Sequence, residues 1–70
     1  MDKYFAYFIN LGFYSQKEFN SVEEAVKYVA STSFDANILK TENGVHPYLT
    51  NEVERVGTWT YFQGFVKTRY

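Results

Sequence analysis

The hydrophobic pattern of this 70-residue chain begins with a run of β-forming side chains. Residues 4–9 read YFAYFI, which predicts a strand with apolar or aromatic side chains on both of its faces. A strand of this kind is usually covered on both sides, and one helix can cover only one side of a sheet. What covers the other side stays open at this point, and a partner molecule could supply that cover.

Residues 21–31 carry the clearest local signal. Ser21 can serve as an N-cap, and Glu24 three residues later completes a capping box. Small apolar side chains then recur at helical spacing on one face: Val22, Ala25, Val26, Val29 and Ala30. The pattern predicts a helix from residue 22 to residue 30 or 31.

Strand patterns flank this helix on both sides. A turn at residues 10–12 (NLG) predicts that residues 13–19 form a second strand, hairpinned to the first. Residues 34–39 alternate after the helix and predict a third strand. Residues 58–62 (TWTYF) predict a further strand, and residues 65–70 a last short one.

The dipeptide Asn43-Gly44 is a strong signal for a two-residue type I′ hairpin. Such a loop would pair Leu39 with Tyr48 and form a return strand, which Pro47 weakens or marks as an edge. Residues 50–56 fit a helical turn and a strand equally well, so the pattern leaves both open.

Together these elements predict an α+β fold in a single domain, residues 1–70. An antiparallel sheet of four to five strands packs one face on one α-helix, in the order ββα followed by a β-rich C-terminal half. The core is expected to contain Phe8, Phe19, Val22, Val26, Val29, Phe34, Ile38, Leu49 and Trp59.

Aromatic content changes this picture, because seven Phe, seven Tyr and one Trp make 21 % of the chain. A domain of this size cannot bury so many rings, and exposed rings grouped on one face usually mark a contact with another molecule. The competing interpretation is an oversized core with scattered exposed tyrosines. The candidate partner-binding residues are Tyr7, Tyr14, Leu39, Tyr48, Tyr61 and Tyr70.

The charge pattern argues against several classes of partner. The net charge is −1 and no polybasic run exists, so the usual signature of duplex DNA or anionic membrane binding is missing. The longest apolar stretch is far too short to span a membrane, and no signal-peptide pattern is present. The chain has no cysteine, which excludes disulfides and Cys-based zinc sites. We therefore expect a cytoplasmic protein.

No residue pattern predicts catalysis. His46 is the only histidine, and the predicted hairpin places it beside Thr41 on an exposed strand, without the partners that a catalytic base needs. The carboxylates fit a solvated surface, and the four glycines fit turns. We expect no enzyme activity, no cofactor and no metal site.

A weaker alternative is binding of single-stranded nucleic acid. Aromatic side chains mixed with cations near the C-terminus can stack on bases and contact phosphates. The residues that would do so are Tyr61, Phe65, Lys67 and Arg69. The slightly negative net charge disfavours this function.

The segments YFAYFINLGFY (residues 4–14), SVEEA (21–25), FDANI (34–38) and GTW (57–59) resemble small α+β proteins encoded by bacteriophages. The resemblance is one of layout, covers most of the chain and carries no functional residue across. It implies a protein that binds and blocks or modulates a host protein in the host cytoplasm. The leading hypothesis is thus a non-enzymatic protein-interaction module, with a homodimer as one possible form.

Overall fold

One α-helix packs on a five-stranded antiparallel sheet in the computed structural model, which describes residues 2–68. The elements are β1 (Lys3–Phe8), β2 (Phe13–Tyr14), α1 (Val22–Thr32), β3 (Ala36–Thr41), β4 (Val53–Thr60) and β5 (Gly64–Lys67). The strand order across the sheet is β2-β1-β3-β4-β5. The predicted α+β class is confirmed.

Local capping signals set the ends of α1. The Ser21 hydroxyl oxygen accepts a hydrogen bond from the Glu24 backbone N–H at 3.2 Å, as the capping box predicts. At the other end Ser33 adopts a left-handed conformation (φ 62°), and its N–H donates to the Ala30 carbonyl. The predicted helix is confirmed, and it ends at Thr32, one residue after the predicted limit at residue 31. In residues 2–68 no helix has the length and hydropathy needed to cross a membrane.

The main core lies between α1 and one face of the sheet. Its buried members are Ala6, Phe8, Phe19, Ala25, Val29, Ala36, Ile38 and Trp59. Val22 and Val26 are half-buried against this cluster. Two predicted core residues are wrong: Phe34 is 49 % exposed in the connection before β3, and Leu49 is 79 % exposed in a surface turn.

The predicted hairpin at Asn43-Gly44 is also wrong. Both residues do adopt positive φ, 58° and 72°, as their propensity favours. The chain then forms two 3₁₀ turns, Glu42–Gly44 and Pro47–Leu49, instead of a return strand. Pro47 has no N–H for a strand ladder, and the His46 ring accepts the N–H of Tyr48 at 3.2 Å, which turns the chain away. The strand that pairs with β3 is therefore β4, which begins at Val53.

The predicted second strand is interrupted after two residues. Residues 13–19 run beside β1, but only Phe13–Tyr14 form a regular strand. At Ser15 the regular backbone pairing stops, because the hydroxyl oxygen of Ser15, rather than a backbone carbonyl, accepts the Ala6 N–H at 3.0 Å. Phe19 then rejoins β1 through a pair of backbone hydrogen bonds with Tyr4.

Residues 42–50, which we call the covering segment, supply the second cover that the sequence left open. The segment lies over the face of β1 and β3 that points away from α1. Beneath it Phe5 is 2 % exposed and Leu39 is 8 % exposed, while Pro47 of the segment itself is buried. The rings of Phe5 and His46 meet with their centroids 5.0 Å apart. The first strand is thus enclosed on both faces within one chain.

Candidate partner-binding surface

Ring side chains from three parts of the chain meet at the β2 edge of the sheet. Tyr7 and Tyr14 are cross-strand partners, so their side chains share a face, with ring centroids 4.9 Å apart. The covering segment adds Tyr48, whose ring lies edge-on to Tyr14 at 4.8 Å. His46 stacks on Tyr48 at 5.1 Å with 14° between the ring planes.

The rings of Tyr14, His46 and Tyr48 border an open cleft of about 790 Å³, which we call the aromatic cleft. Its main apolar and aromatic lining consists of Phe13, Tyr14, Tyr28, His46, Tyr48 and Leu49. Several of these side chains are well exposed: Tyr48 to 67 %, Leu49 to 79 % and Phe13 to 46 %. Lys17 contributes a positive charge to the same lining. The cleft therefore presents apolar surface to solvent at one place.

His46 holds the covering segment in position. Its Nδ1 accepts the N–H of Tyr48, so the neutral ring carries its proton on Nε2. Nε2 lies 3.2 Å from the Ser15 carbonyl oxygen and donates to it. The prediction of an exposed hairpin histidine beside Thr41 is wrong, because the ring is half-buried between Phe5, Tyr14 and Tyr48. Its geometry indicates a structural role at the cleft.

The structure brings three of the six predicted partner-binding residues together: Tyr7, Tyr14 and Tyr48. Leu39 is buried beneath the covering segment and is not part of the exposed surface. Tyr61 is 66 % exposed, but it lies in the turn between β4 and β5, beside Phe62. Tyr70 lies outside the described residues.

Sequence reasoning missed Phe13, Tyr28, His46 and Leu49 as cleft residues. Tyr28 directly precedes Val29 of the apolar helical stripe, and this position was a signal that it borders the core. Leu49 and His46 had no local signal, because their position depends on the irregular path of the covering segment.

The residues of the nucleic-acid alternative do not form one stacking surface. Phe65 packs against the helix-side core, where it pairs with Trp59. Its ring lies directly over Gly57, at which a Cβ would come within 2.5 Å of the ring. Tyr61 and Lys67 are exposed, and Arg69 lies outside the described residues.

Neither the metal-binding side chains of residues 2–68 nor comparisons with known proteins indicate a ligand for the cleft. Among residues 2–68, no three His, Asp or Glu side chains group closely enough to hold a metal ion. No family model, curated protein or solved structure matches the chain. The interpretation of the aromatic cleft therefore depends on its own geometry.

Proposed function

We propose that the chain is a non-enzymatic protein-interaction module that binds a partner protein at the aromatic cleft. The observation that carries this proposal is the convergence of exposed rings from β2, α1 and the covering segment on one cleft. Tyrosine is enriched at interface hot spots, since its ring supplies apolar area and its hydroxyl a hydrogen bond. Covering apolar surface contributes roughly 25 cal/mol per Å².

The cleft is ordered before any partner arrives, which favours affinity. Tyr14 and Tyr48 contact each other, and His46 fixes the backbone of Tyr48 through its Nδ1. Side chains that are already held in place lose little conformational entropy on binding. This pre-organisation distinguishes the cleft from Phe62, which is 95 % exposed and contacts the ring of Tyr61 alone among the described rings.

The resemblance to small bacteriophage proteins supports a bacterial host protein as the first class of partner to test. In this proposal the chain acts in the host cytoplasm and blocks or modulates the protein that it binds. A second copy of the chain is the other candidate occupant of the cleft, and a measurement of the oligomeric state tests it.

Capture from a bacterial lysate with three matched baits tests the proposal. We expect the wild-type chain to retain a protein that Tyr48→Ala loses, with affinity for the purified partner reduced by about thirtyfold or more, as at interface hot spots. Phe62→Ala is the matched control, because it removes a more exposed ring outside the cleft. Circular dichroism checks that both variants stay folded.

Equal retention by all three baits would contradict the cleft as the binding surface. Loss with Phe62→Ala but not with Tyr48→Ala would move the surface to the β4–β5 turn. The two sites are easily distinguished, since they lie three to four inter-strand spacings apart, roughly 14–19 Å.

A further inference from the structure

The two edges of the sheet differ in how their backbone groups are used. At the β2 edge, Ser15 and Phe19 complete the hydrogen bonding of β1 beyond the short strand. At the other edge, β5 pairs only with β4 among the described residues. The N–H and C=O groups of Gly64–Lys67 that point away from β4 are therefore open to pairing with an extended chain.

A polar groove of about 340 Å³ lies beside this free edge. Its polar lining consists of Arg55, Thr58, Thr60, Gln63, Lys67 and Thr68. Thr60 keeps its own O–H free to donate, because its oxygen accepts the Gln63 N–H at 3.2 Å. This lining is rich in hydrogen-bond donors, because it contains a guanidinium, an ammonium, an amide and several hydroxyl groups.

The charges of the groove are not compensated within residues 2–68. Neither Arg55 nor Lys67 forms an ion pair there, and the lining contains no carboxylate. The lysines on other strands are paired: Lys3 with Glu18, and Lys40 with both Asp2 and Glu54. The groove is thus a local positive patch on a chain whose net charge is −1.

We propose that the β5 edge and the polar groove form a second binding site, which takes an extended acidic peptide segment as a sixth strand. The peptide backbone would pair with Gly64–Lys67, as in other cases of strand addition. Successive residues of a strand point to opposite faces, so carboxylates on one face of the peptide would reach Arg55, and carboxylates on the other face would reach Lys67, which pairs with Gly57 on the α1 side. This site is independent of the aromatic cleft and of the function proposed for it.

The charge pattern favours an acidic peptide over a second copy of the chain. Pairing of two β5 strands would bring Arg55 and Lys67 of both copies to one seam, where like charges repel. It also favours a peptide over nucleic acid, because no aromatic ring lines the groove and Phe65 is packed on the opposite face.

Fluorescence anisotropy with labelled ten-residue peptides at low salt tests this site. We expect a peptide built on the repeat Thr-Thr-Glu-Glu, which places Glu on both faces of a strand, to bind, and the matching peptide with Lys in place of Glu not to bind. Arg55→Gln and Lys67→Gln should each weaken binding by roughly two- to fivefold, as expected for exposed charge pairs. Lys27→Gln, which removes the same charge from the exposed side of α1, is the control and should leave binding unchanged.

A second probe separates strand pairing from simple charge attraction. The Thr–Glu peptide with alternate backbone nitrogens methylated keeps its charge but cannot form the ladder, so we expect its binding to be lost. Equal binding of the methylated peptide, or no effect of Arg55→Gln and Lys67→Gln, would overturn the proposal. Tighter binding of an oligothymidylate at the same groove would overturn it in favour of nucleic acid. Tyr48→Ala should leave peptide binding unchanged, which keeps this test separate from that of the aromatic cleft.

Discussion

At the scale of single residues, the side chain of Thr41 is buried without a hydrogen bond within residues 2–68. It is 1 % exposed at the end of β3, between Lys3 of β1 and Val53 of β4. Its hydroxyl oxygen is buried and has no hydrogen-bond partner in the described structure. A buried hydroxyl without a partner costs about 1–3 kcal/mol, since it loses its bonds to water and gains none.

Thr41→Val should therefore stabilise the fold. Valine keeps the branched shape and strand propensity but removes the unpaired hydroxyl, so we expect a gain of about 1 kcal/mol in the free energy of unfolding, measured with urea. Thr32→Val is the matched control, because the Thr32 hydroxyl donates to the Val29 carbonyl at 2.7 Å and its oxygen also accepts the Phe34 N–H at 3.2 Å. That variant should be destabilised, and an equal loss in both would show that Thr41 has a partner in solution.

At the scale of secondary-structure elements, α1 depends on its N-terminal cap. Ser21→Ala removes the acceptor of the Glu24 N–H and should reduce the free energy of unfolding by about 1 kcal/mol. Ser31→Ala makes the same chemical change in the last turn of the same helix, where the hydroxyl only bonds back to the Tyr28 carbonyl. It should be neutral or slightly stabilising. Thermal unfolding followed at 222 nm measures both, and equal effects would contradict the capping role.

The helix could be predicted because all of its signals are local. Ser21 and Glu24 cap it, and the apolar stripe on Val22 and Val29 marks its buried face. Strands β1, before the helix, and β3, after it, could likewise be predicted from the alternation of side chains and from β-propensity. The fold class was therefore accessible from the sequence.

The pairing of strands that are distant in the sequence could not be predicted from local patterns, as the pairing of β3 with β4 shows. Asn43 and Gly44 adopt the backbone conformation that they favour, yet Leu39 pairs with Arg55, seven residues beyond the predicted Tyr48, because His46 and Pro47 redirect the chain. The cleft could be predicted only in part: of its lining residues, the aromatic content of the sequence indicated Tyr14 and Tyr48. The position of Leu49 depends on tertiary packing of the covering segment, which no local pattern encodes.

For the whole molecule, the candidate surfaces lie at opposite edges of one sheet. The aromatic cleft is built on β2 and the polar groove on β4 and β5. About four inter-strand spacings of roughly 4.8 Å separate these edges. Two ligands of different chemistry, one apolar and one acidic, can therefore bind at once without touching.

Light scattering over a hundredfold range of concentration tests whether the cleft binds a second copy. If self-association covers the cleft, the wild-type chain is a dimer and Tyr48→Ala is a monomer at the same concentration, because the exposed ring that is lost would lie in the interface. Phe62→Ala should stay dimeric. A dimer that survives Tyr48→Ala would place self-association elsewhere, and a wild-type monomer would leave the cleft free for a different protein.

The central place of β3 also has a consequence for the order of folding. Lys3 of β1 pairs with Thr41, so most of the first strand gains its central neighbour only after the chain has been extended past the helix. Pairing between residues so distant in sequence is slow, because loop closure must come first. Until then, the YFAYFI run that becomes one of the best-covered strands is an exposed, aggregation-prone segment. A strand that is enclosed on both faces in the native state thus depends on rapid folding or a chaperone during synthesis.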